Sequence, residues 1–240
     1  MDKRLEKIIE KSSRIVFFGG AGVSTESDIP DFRSEQGLYN AKKEYGYSPE
    51  SILSHEFYMS KPEVFYKYYK ENLIYTDAKP NKAHIALAKL EQEGKLSAVV
   101  TQNIDGLHQL AGSNRVYELH GSVHRNYCEK CGKPYGVDYI MDESNCRNGV
   151  PYCECGGRIK PDVVLFGEML DEDCIEGAVR AIEKADTLIV GGTSLAVYPA
   201  AGLLNYFSGD NLVLINKSET AYDNRADLVI YDSIGKVMEY

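Results

Sequence analysis

The sequence predicts an α/β fold: a doubly wound parallel sheet carrying a smaller inserted domain. Three observations predict it. Short, nearly continuous apolar runs recur and alternate with helical patterns, as parallel strands covered on both faces require. A glycine-rich turn, Gly19-Gly20-Ala21-Gly22-Val23-Ser24-Thr25, directly follows the first run. Two segments of different character interrupt the alternation: residues 34–79, rich in Tyr and Lys, and residues 123–158, which hold paired cysteines.

The elements follow in order. Residues 1–10 are mixed in charge and amphipathic, and read as a surface helix with no signal-peptide apolar region. Residues 14–18 (Arg-Ile-Val-Phe-Phe) are a buried strand. In the turn behind it, glycines remove Cβ atoms where backbone must approach a ligand. A helix beginning near Val23 would aim its positive N-terminal end at a pyrophosphate. Gly20 and Gly22 fit the first two glycines of the Rossmann dinucleotide fingerprint, and Thr25 stands where the third belongs. A plain strand-to-helix turn fits the same residues. Residues 34–79 read as short helices. Further strands are expected at 97–101, 163–166, 187–190, 211–215 and 228–230, and helices near 83–93, 171–184 and 196–206. The resulting division is a discontinuous Rossmann-like domain of residues 1–33, 80–122 and 159–240, with a small domain of residues 34–79 and 123–158.

At 240 residues the chain can bury a full core, and 43% hydrophobic and 26% charged residues are ordinary for a globular protein. The formal net charge of −9 argues against a nucleic-acid partner and is compatible with basic, lysine-bearing peptides. No apolar run approaches the length of a membrane span. A cytoplasmic location is expected.

Six cysteines in such a chain favour metal over disulfides. Cys128-Glu129-Lys130-Cys131-Gly132 is half of a zinc knuckle, and Cys153-Glu154-Cys155-Gly156-Gly157 supplies the other half with a one-residue spacer. Cys146 could substitute for Cys153. Four thiolates would close one structural Zn²⁺ site, with no position left for a catalytic water. The inserted domain is therefore expected to be helical and zinc-binding. Cys174 falls in a helical pattern as a core residue.

Several residues stand where chemistry is done. Gln102, Asn103, Ile104 and Asp105 follow a strand, at the carboxyl end that faces the ligand crevice of a parallel sheet. Two amides and a carboxylate suit ribose hydroxyls and a carboxamide, and Asp105 could equally cap a turn. His120 has a side-chain pKa near neutrality and is followed by Gly121, which leaves room for a ligand. Gly192, Thr193 and Ser194 form a second strand-to-helix turn able to cradle phosphate or ribose. Asn216 ends a strand where an adenosine ribose is read.

Four motifs together resemble the sirtuin family of NAD-dependent protein-lysine deacylases. They are Pro30-Asp31-Phe32-Arg33-Ser34, the run Thr101-Gln102-Asn103-Ile104-Asp105-Gly106-Leu107-His108, Glu118-Leu119-His120-Gly121, and the run from Gly191 to Pro199. The resemblance extends from about Arg14 to Val237. It implies NAD as cosubstrate and a four-cysteine zinc. It implies His120 as general base on the ribose, and Asn103 orienting ribose or water. Asp105, with Ile104, would bind nicotinamide, Phe32 would shield C1′, and Arg33 would set its loop on the cofactor. Ala21 and Thr25 would meet phosphate and ribose, and Ile234 would pack on adenine.

By the same resemblance, Val164 and Phe166 wall an acyl-lysine tunnel. A peptide would add as a strand between Gly167-Glu168 and Leu195-Ala196-Val197. The reaction implied is attack of the acetyl oxygen on C1′ as nicotinamide leaves, then capture by a ribose hydroxyl that His120 activates. Water then releases lysine and O-acetyl-ADP-ribose. Family members that remove succinyl or malonyl groups carry Tyr and, three residues later, Arg. Here Tyr66 is followed by Tyr69, so deacetylation, with longer uncharged acyl groups admitted, is expected over desuccinylation. A mono-ADP-ribosyltransferase and a non-catalytic NAD sensor share these cofactor residues and stay open as alternatives.

Overall fold

The computed structural model describes residues 1–30 and 41–239. Eleven strands occur among them: β1 (Ile15–Gly19), β2 (Leu96–Thr101), β3 (Val116–Glu118), β4 (Asn126–Cys128), β5 (Pro134–Tyr135), β6 (Cys146–Arg147), β7 (Val150–Pro151), β8 (Ile159–Pro161), β9 (Thr187–Gly191), β10 (Asn211–Ile215) and β11 (Leu228–Ile230). Six of these form one sheet in the order β11-β10-β9-β1-β2-β3, every pairing parallel. The chain winds outward from β1 to β3, returns to the middle at β9, and winds the other way. The strand order therefore reverses between β1 and β9, the place where open α/β sheets bind ligands.

Alternation along the strands builds a core on each face. Ile15 and Phe17 of β1 join a cluster with Leu5 and Ile9 of the N-terminal helix Lys3–Lys11 and Leu87 and Leu90 of the helix Lys82–Gln92. Val16 and Phe18 point the other way, toward Ala178 and Ile182 of the helix Glu172–Glu183. Every residue of β1 and β9 is buried, which explains their unbroken apolar runs.

A third cluster lies apart from the sheet. It joins the short helices Pro49–Ile52, His55–Ser60 and Pro62–Asn72 to residues of the 123–165 segment, including Val123, Ile140, Val163 and Leu165. Its centre is aromatic: Phe65 stacks on Tyr69 at 5.6 Å and meets Tyr66 edge-on at 5.2 Å. The antiparallel sheet β5-β4-β8 carries one cysteine pair, at the end of β4 and in the turn beyond it.

Three expected elements differ. Among the described residues no α-helix directly follows the glycine-rich turn. Instead come two single 3₁₀ turns, Ala21–Val23 and Thr25–Ser27, closed by Asp28 in the left-handed region (φ 62°) just before Pro30. Residues 163–166 join no sheet. Val164 N–H donates to His120 O at 3.0 Å and Phe166 N–H to Leu53 O at 3.0 Å, leaving one isolated bridge between Ser54 and Phe166. Their apolar character comes from burial of Val163 and Leu165 in the third cluster. The helix expected at 196–206 is a 3₁₀ helix, Ala200–Tyr206, beginning only after Pro199.

Candidate active site

Three turns meet at the switch point because of the sheet register. Gly19, last in β1, is paired with Thr101 of β2 on one side and Gly191 of β9 on the other. The segments leaving those strands, Gly20-Ala21-Gly22, Gln102-Asn103-Ile104-Asp105 and Gly192-Thr193-Ser194, therefore lie side by side. They floor a cavity of about 610 Å³ whose other wall is residues 163–168.

The glycines are required by contacts between the turns. Gly22 N–H donates to Gly192 O at 2.8 Å. A Cβ on Gly22 would come within 2.7 Å of Gly192 Cα, and one on Gly20 within 2.8 Å of Thr193 Cβ. The fingerprint thus lets two turns interlock, and their exposed backbone then lines the cavity.

Polar side chains on this floor form one network. Gln102 Nε2 donates to Thr193 Oγ1 at 3.1 Å, tying the second turn to the third. Asn103 Nδ2 donates to Ser24 Oγ at 3.0 Å, and Ser24 Oγ–H donates to Asp105 Oδ2 at 2.6 Å. The other oxygen of Asp105 accepts from Leu107 N–H at 2.9 Å. Asp105 therefore caps its turn and also faces the cleft. Ser24 couples the first and second turns and was not singled out in the sequence, where it passes for one more small residue of the glycine-rich stretch.

His120 stands just beyond β3. Its Nδ1 lies 2.9 Å from the Gln102 carbonyl, which can only accept, so Nδ1 carries the proton and Nε2 is the basic nitrogen. Gly121 is fixed at φ 72°, and a Cβ there would stand 1.8 Å from Asp162 O. That close approach, with the Val164–His120 bond, holds the histidine against the segment that forms the far wall.

On that wall, Val164, Phe166, Gly167 and Glu168 line the cavity, with Val197 opposite. Phe166 is 42% exposed at its mouth. The Glu168 carboxylate is a brace. It accepts from Leu165 N–H at 2.9 Å and from Lys160 Nζ at 3.0 Å, and meets His55 Nδ1 at 2.9 Å. Burial opposes its ionisation, but these partners outweigh burial and hold the carboxyl below its ordinary range.

Of the other expected residues, Ala21 and Asn216 line the cavity, and Asn216 Nδ2 donates to Ser218 O at 3.0 Å. Thr25 does not: its Oγ1 donates to Gly22 O at 3.0 Å, inside its own turn. Ile234 is buried in the core, its side chain filling the space beside Gly191, where a Cβ would come within 2.2 Å of it. Phe32 and Arg33 lie outside the described residues. Tyr66 and Tyr69 are fully buried in the third cluster, with Tyr66 Oη donating to Ile159 O, and neither reaches the cavity wall. Among the described lining residues none is Lys or Arg. Leu53, Asn72, Leu73 and Tyr75 also line the cavity and went unread in the sequence.

Cys128, Cys131, Cys153 and Cys155 bring four sulfurs within 4.8 Å of one another. The pairs Cys128–Cys155 and Cys131–Cys153 stand at 3.5 and 3.6 Å. Zn–S bonds of about 2.3 Å in a tetrahedron place sulfurs about 3.8 Å apart, so the set fits zinc. Gly132 and Gly156, at φ 72° and 80°, turn the chain after each pair, and Lys130 and Cys155 N–H groups point at Cys128 and Cys153 sulfur. Gly157 is the tightest point: a Cβ there would lie 2.7 Å from Cys128 Sγ. Cys153 is the member of the set. Cys146 lies elsewhere, its sulfur 3.3 Å from Lys70 Nζ. Cys174 packs half-buried against the second core.

Known proteins share both the sequence and the fold. A family model described as Sir2 family matches residues 20–199. A Clostridium acetobutylicum protein named NAD-dependent protein deacetylase is 63% identical over 98% of this chain and 95% of its own length. One of the same name from Clostridium perfringens is 62% identical over 98% and 96%. Among solved structures, one described as "Sir2-p53 peptide-NAD+" superposes with a TM-score of 0.87 at 40% identity, covering 99% of this chain and 95% of that one. Another, of Sir2Tm bound to a propionylated peptide, gives 0.86 at 40% identity, covering 99% and 96%. With the family model covering the turns, the histidine and the cysteine pairs, the chain belongs to the Sir2 family.

Proposed function

We propose that the chain is an NAD-dependent protein-lysine deacetylase acting on acetyl-lysine peptides and proteins, and releasing nicotinamide and O-acetyl-ADP-ribose. The observation that carries this reading is the placement of His120. Its basic nitrogen is fixed by the Gln102 carbonyl at the junction of the crevice floor and the wall of residues 163–168. The relatives named as NAD-dependent protein deacetylases, and the neighbour holding peptide and NAD together, support it.

The residues divide the work. The interlocked turns at Gly20-Ala21-Gly22 and Gly192-Thr193-Ser194 offer backbone N–H groups and hydroxyls to phosphates and ribose, with Asn216 beside them. Asn103, Ile104 and Asp105 hold the ribose and the nicotinamide carboxamide, and Ser24 fixes the first and last of these. NAD, when bound, supplies an electrophilic C1′ and a leaving group. His120 Nε2 takes a proton from a ribose hydroxyl. Val164 and Phe166 wall the acyl-lysine and exclude water, while the backbone at Gly167-Glu168 and Val197 pairs with the peptide. The four cysteines hold one structural zinc.

Among the described lining residues no cation offers a succinyl carboxylate the bidentate partner that its burial would call for. The two-domain division is residues 1–33, 80–122 and 159–240 against 34–79 and 123–158; a separate third core supports a small domain, and Ile159, Val163 and Leu165 pack in that core from just beyond the second boundary. Among the described residues no helix is long and apolar enough to cross a membrane. A cytoplasmic setting suits the reduced thiols, and the acidic balance disfavours nucleic acid.

The test is formation of deacylated peptide and O-acyl-ADP-ribose from NAD with matched acetyl- and succinyl-lysine peptides. Turnover on acetyl and little on succinyl is expected. His120→Ala should lower kcat by about 10²-fold or more, the scale of a lost general base. An unchanged kcat in that variant would overturn the reading.

A further inference from the structure

Asn72 is an amide set among apolar neighbours on the small-domain side of the cavity. It shares that wall with Leu53, Leu73, Ile104, Val163 and Leu165, all of which belong to or pack against the third hydrophobic cluster. The orientation of its carboxamide is fixed by its partners. One group donates to Tyr68 O at 3.0 Å, and a carbonyl can only accept. The same group reaches Tyr45 Oη at 3.3 Å, whose proton is already given to the Glu71 carboxylate. Both partners demand a donor, so Nδ2 faces the small domain. Asn72 lines the cavity, and its Oδ1, the edge not used by these partners, accepts no hydrogen bond from the described residues.

We propose that Asn72 Oδ1 accepts a hydrogen bond from a hydroxyl on the acyl chain, so that lysines carrying short hydroxyacyl groups are preferred substrates. The proposal rests on the deacylase reading and names the substrate class of that same site. A plain alkyl chain drawn past Asn72 strips water from Oδ1 and gives nothing back. A hydroxyl at that point replaces the lost bond. A carboxylate brings only acceptors to an acceptor, and among the described lining residues no cation offsets that for succinyl groups. Sites built to bond a substrate hydroxyl discriminate against the analogue lacking it, because the protein group is then left unpaired.

Butyryl- and 3-hydroxybutyryl-lysine on one peptide differ by that hydroxyl alone, so the ratio of their kcat/KM values reads the contact. The wild-type enzyme should favour the hydroxylated chain by about fivefold or more, and Asn72→Leu should move the ratio toward butyryl by about tenfold, the scale of one hydrogen bond. Zinc content and Tm establish that the variant is folded. If leucine is not accommodated, Asn72→Ala serves the same comparison. Acetyl-lysine turnover by the wild-type enzyme reports separately on the deacylase reading, and its absence would overturn that reading and this one together. Acetyl turnover with equal rates on the two four-carbon chains, or a ratio that Asn72→Leu leaves in place, would overturn the role of Asn72 alone.

Discussion

The two walls of the cleft are made of different material. The floor at the β1–β9 switch point is backbone: glycines packed on glycines, carbonyls orienting side chains, and register setting three turns side by side. The opposite wall is mainly side chains: Leu53, Leu73, Val163 and Leu165, which belong to or pack against the third core, with Asn72, Tyr75 and residues 166–168 beside them. A backbone site tolerates little change, since no substitution restores a Cβ-free approach. A side-chain wall can be retuned one residue at a time. Within one cleft, the floor suits an invariant ligand and the wall suits a variable acyl group.

The largest effect expected on this contrast comes from metal removal. The cysteine sheet and the short helices share the third core, so the side-chain wall depends on the zinc module, whereas the floor depends on the sheet. Structural zinc contributes on the order of 10 kcal/mol in small modules. Chelation, or Cys131→Ser, should abolish peptide turnover and expose amides of residues 123–161 to hydrogen exchange. Amides of β1, β2, β9 and β10 should stay protected. Uniform loss of protection would show the two regions to be one cooperative unit.

The floor was legible in the sequence, because its requirements are local. Glycines at 20, 22 and 192, and a histidine before a glycine at 121, mark points of close approach within short stretches. Even so, nothing local marks Ser24, since its two partners, Asn103 and Asp105, are 79 and 81 residues away. The other wall was mostly illegible for the same reason. Asn72 reads as the end of an ordinary amphipathic helix, and only packing brings it beside Leu53 and Val163. The stretch at 163–166 looked like a strand because burial alone produces an apolar run, whether the neighbour is a sheet or a side-chain core. Tyr66 and Tyr69 were legible as a pair but not in direction: they point into the aromatic core.

The two regions also differ in what they bury. Beneath the floor, His84 and His108 pack ring to ring at 4.7 Å, both almost inaccessible. Burial pushes them down to about 4 and about 3, the latter helped by the neighbouring His84. The small domain buries Tyr58, Tyr66 and Tyr69 instead, which burial pushes further above neutrality. Acid should therefore weaken the sheet side selectively. Each histidine is neutral in the folded state and near 6.5 when unfolded, so the unfolded chain binds the extra protons. Stability is full above about pH 6.5 and falls as pH drops below it, with a slope approaching about 1.4 kcal/mol per pH unit for each histidine. Urea midpoints between pH 7 and pH 5 measure this, and His108→Gln should flatten the slope. A slope unchanged in that variant would overturn the share assigned to His108 and leave the acid sensitivity to His84 and groups elsewhere.

The smallest effect sharpens the comparison most, because it asks whether Thr25 belongs to the floor or only stands beside it. Thr25 occupies the third fingerprint position, and the sirtuin resemblance gives it phosphate or ribose. In the structure its hydroxyl is turned back onto Gly22 O at 3.0 Å and it does not line the cavity. Its work is to close a 3₁₀ turn. Removing one such hydrogen bond costs about 1 kcal/mol of stability, and the interlocked glycines keep the turn in place without it. Thr25→Ala should lower the unfolding midpoint slightly and leave the KM for NAD within about twofold of wild type, well under the factor of about five that one lost ligand hydrogen bond would give. A tenfold rise in KM with no change in unfolding midpoint would mean that the hydroxyl swings out to the ligand. The floor would then contain one adjustable side chain after all.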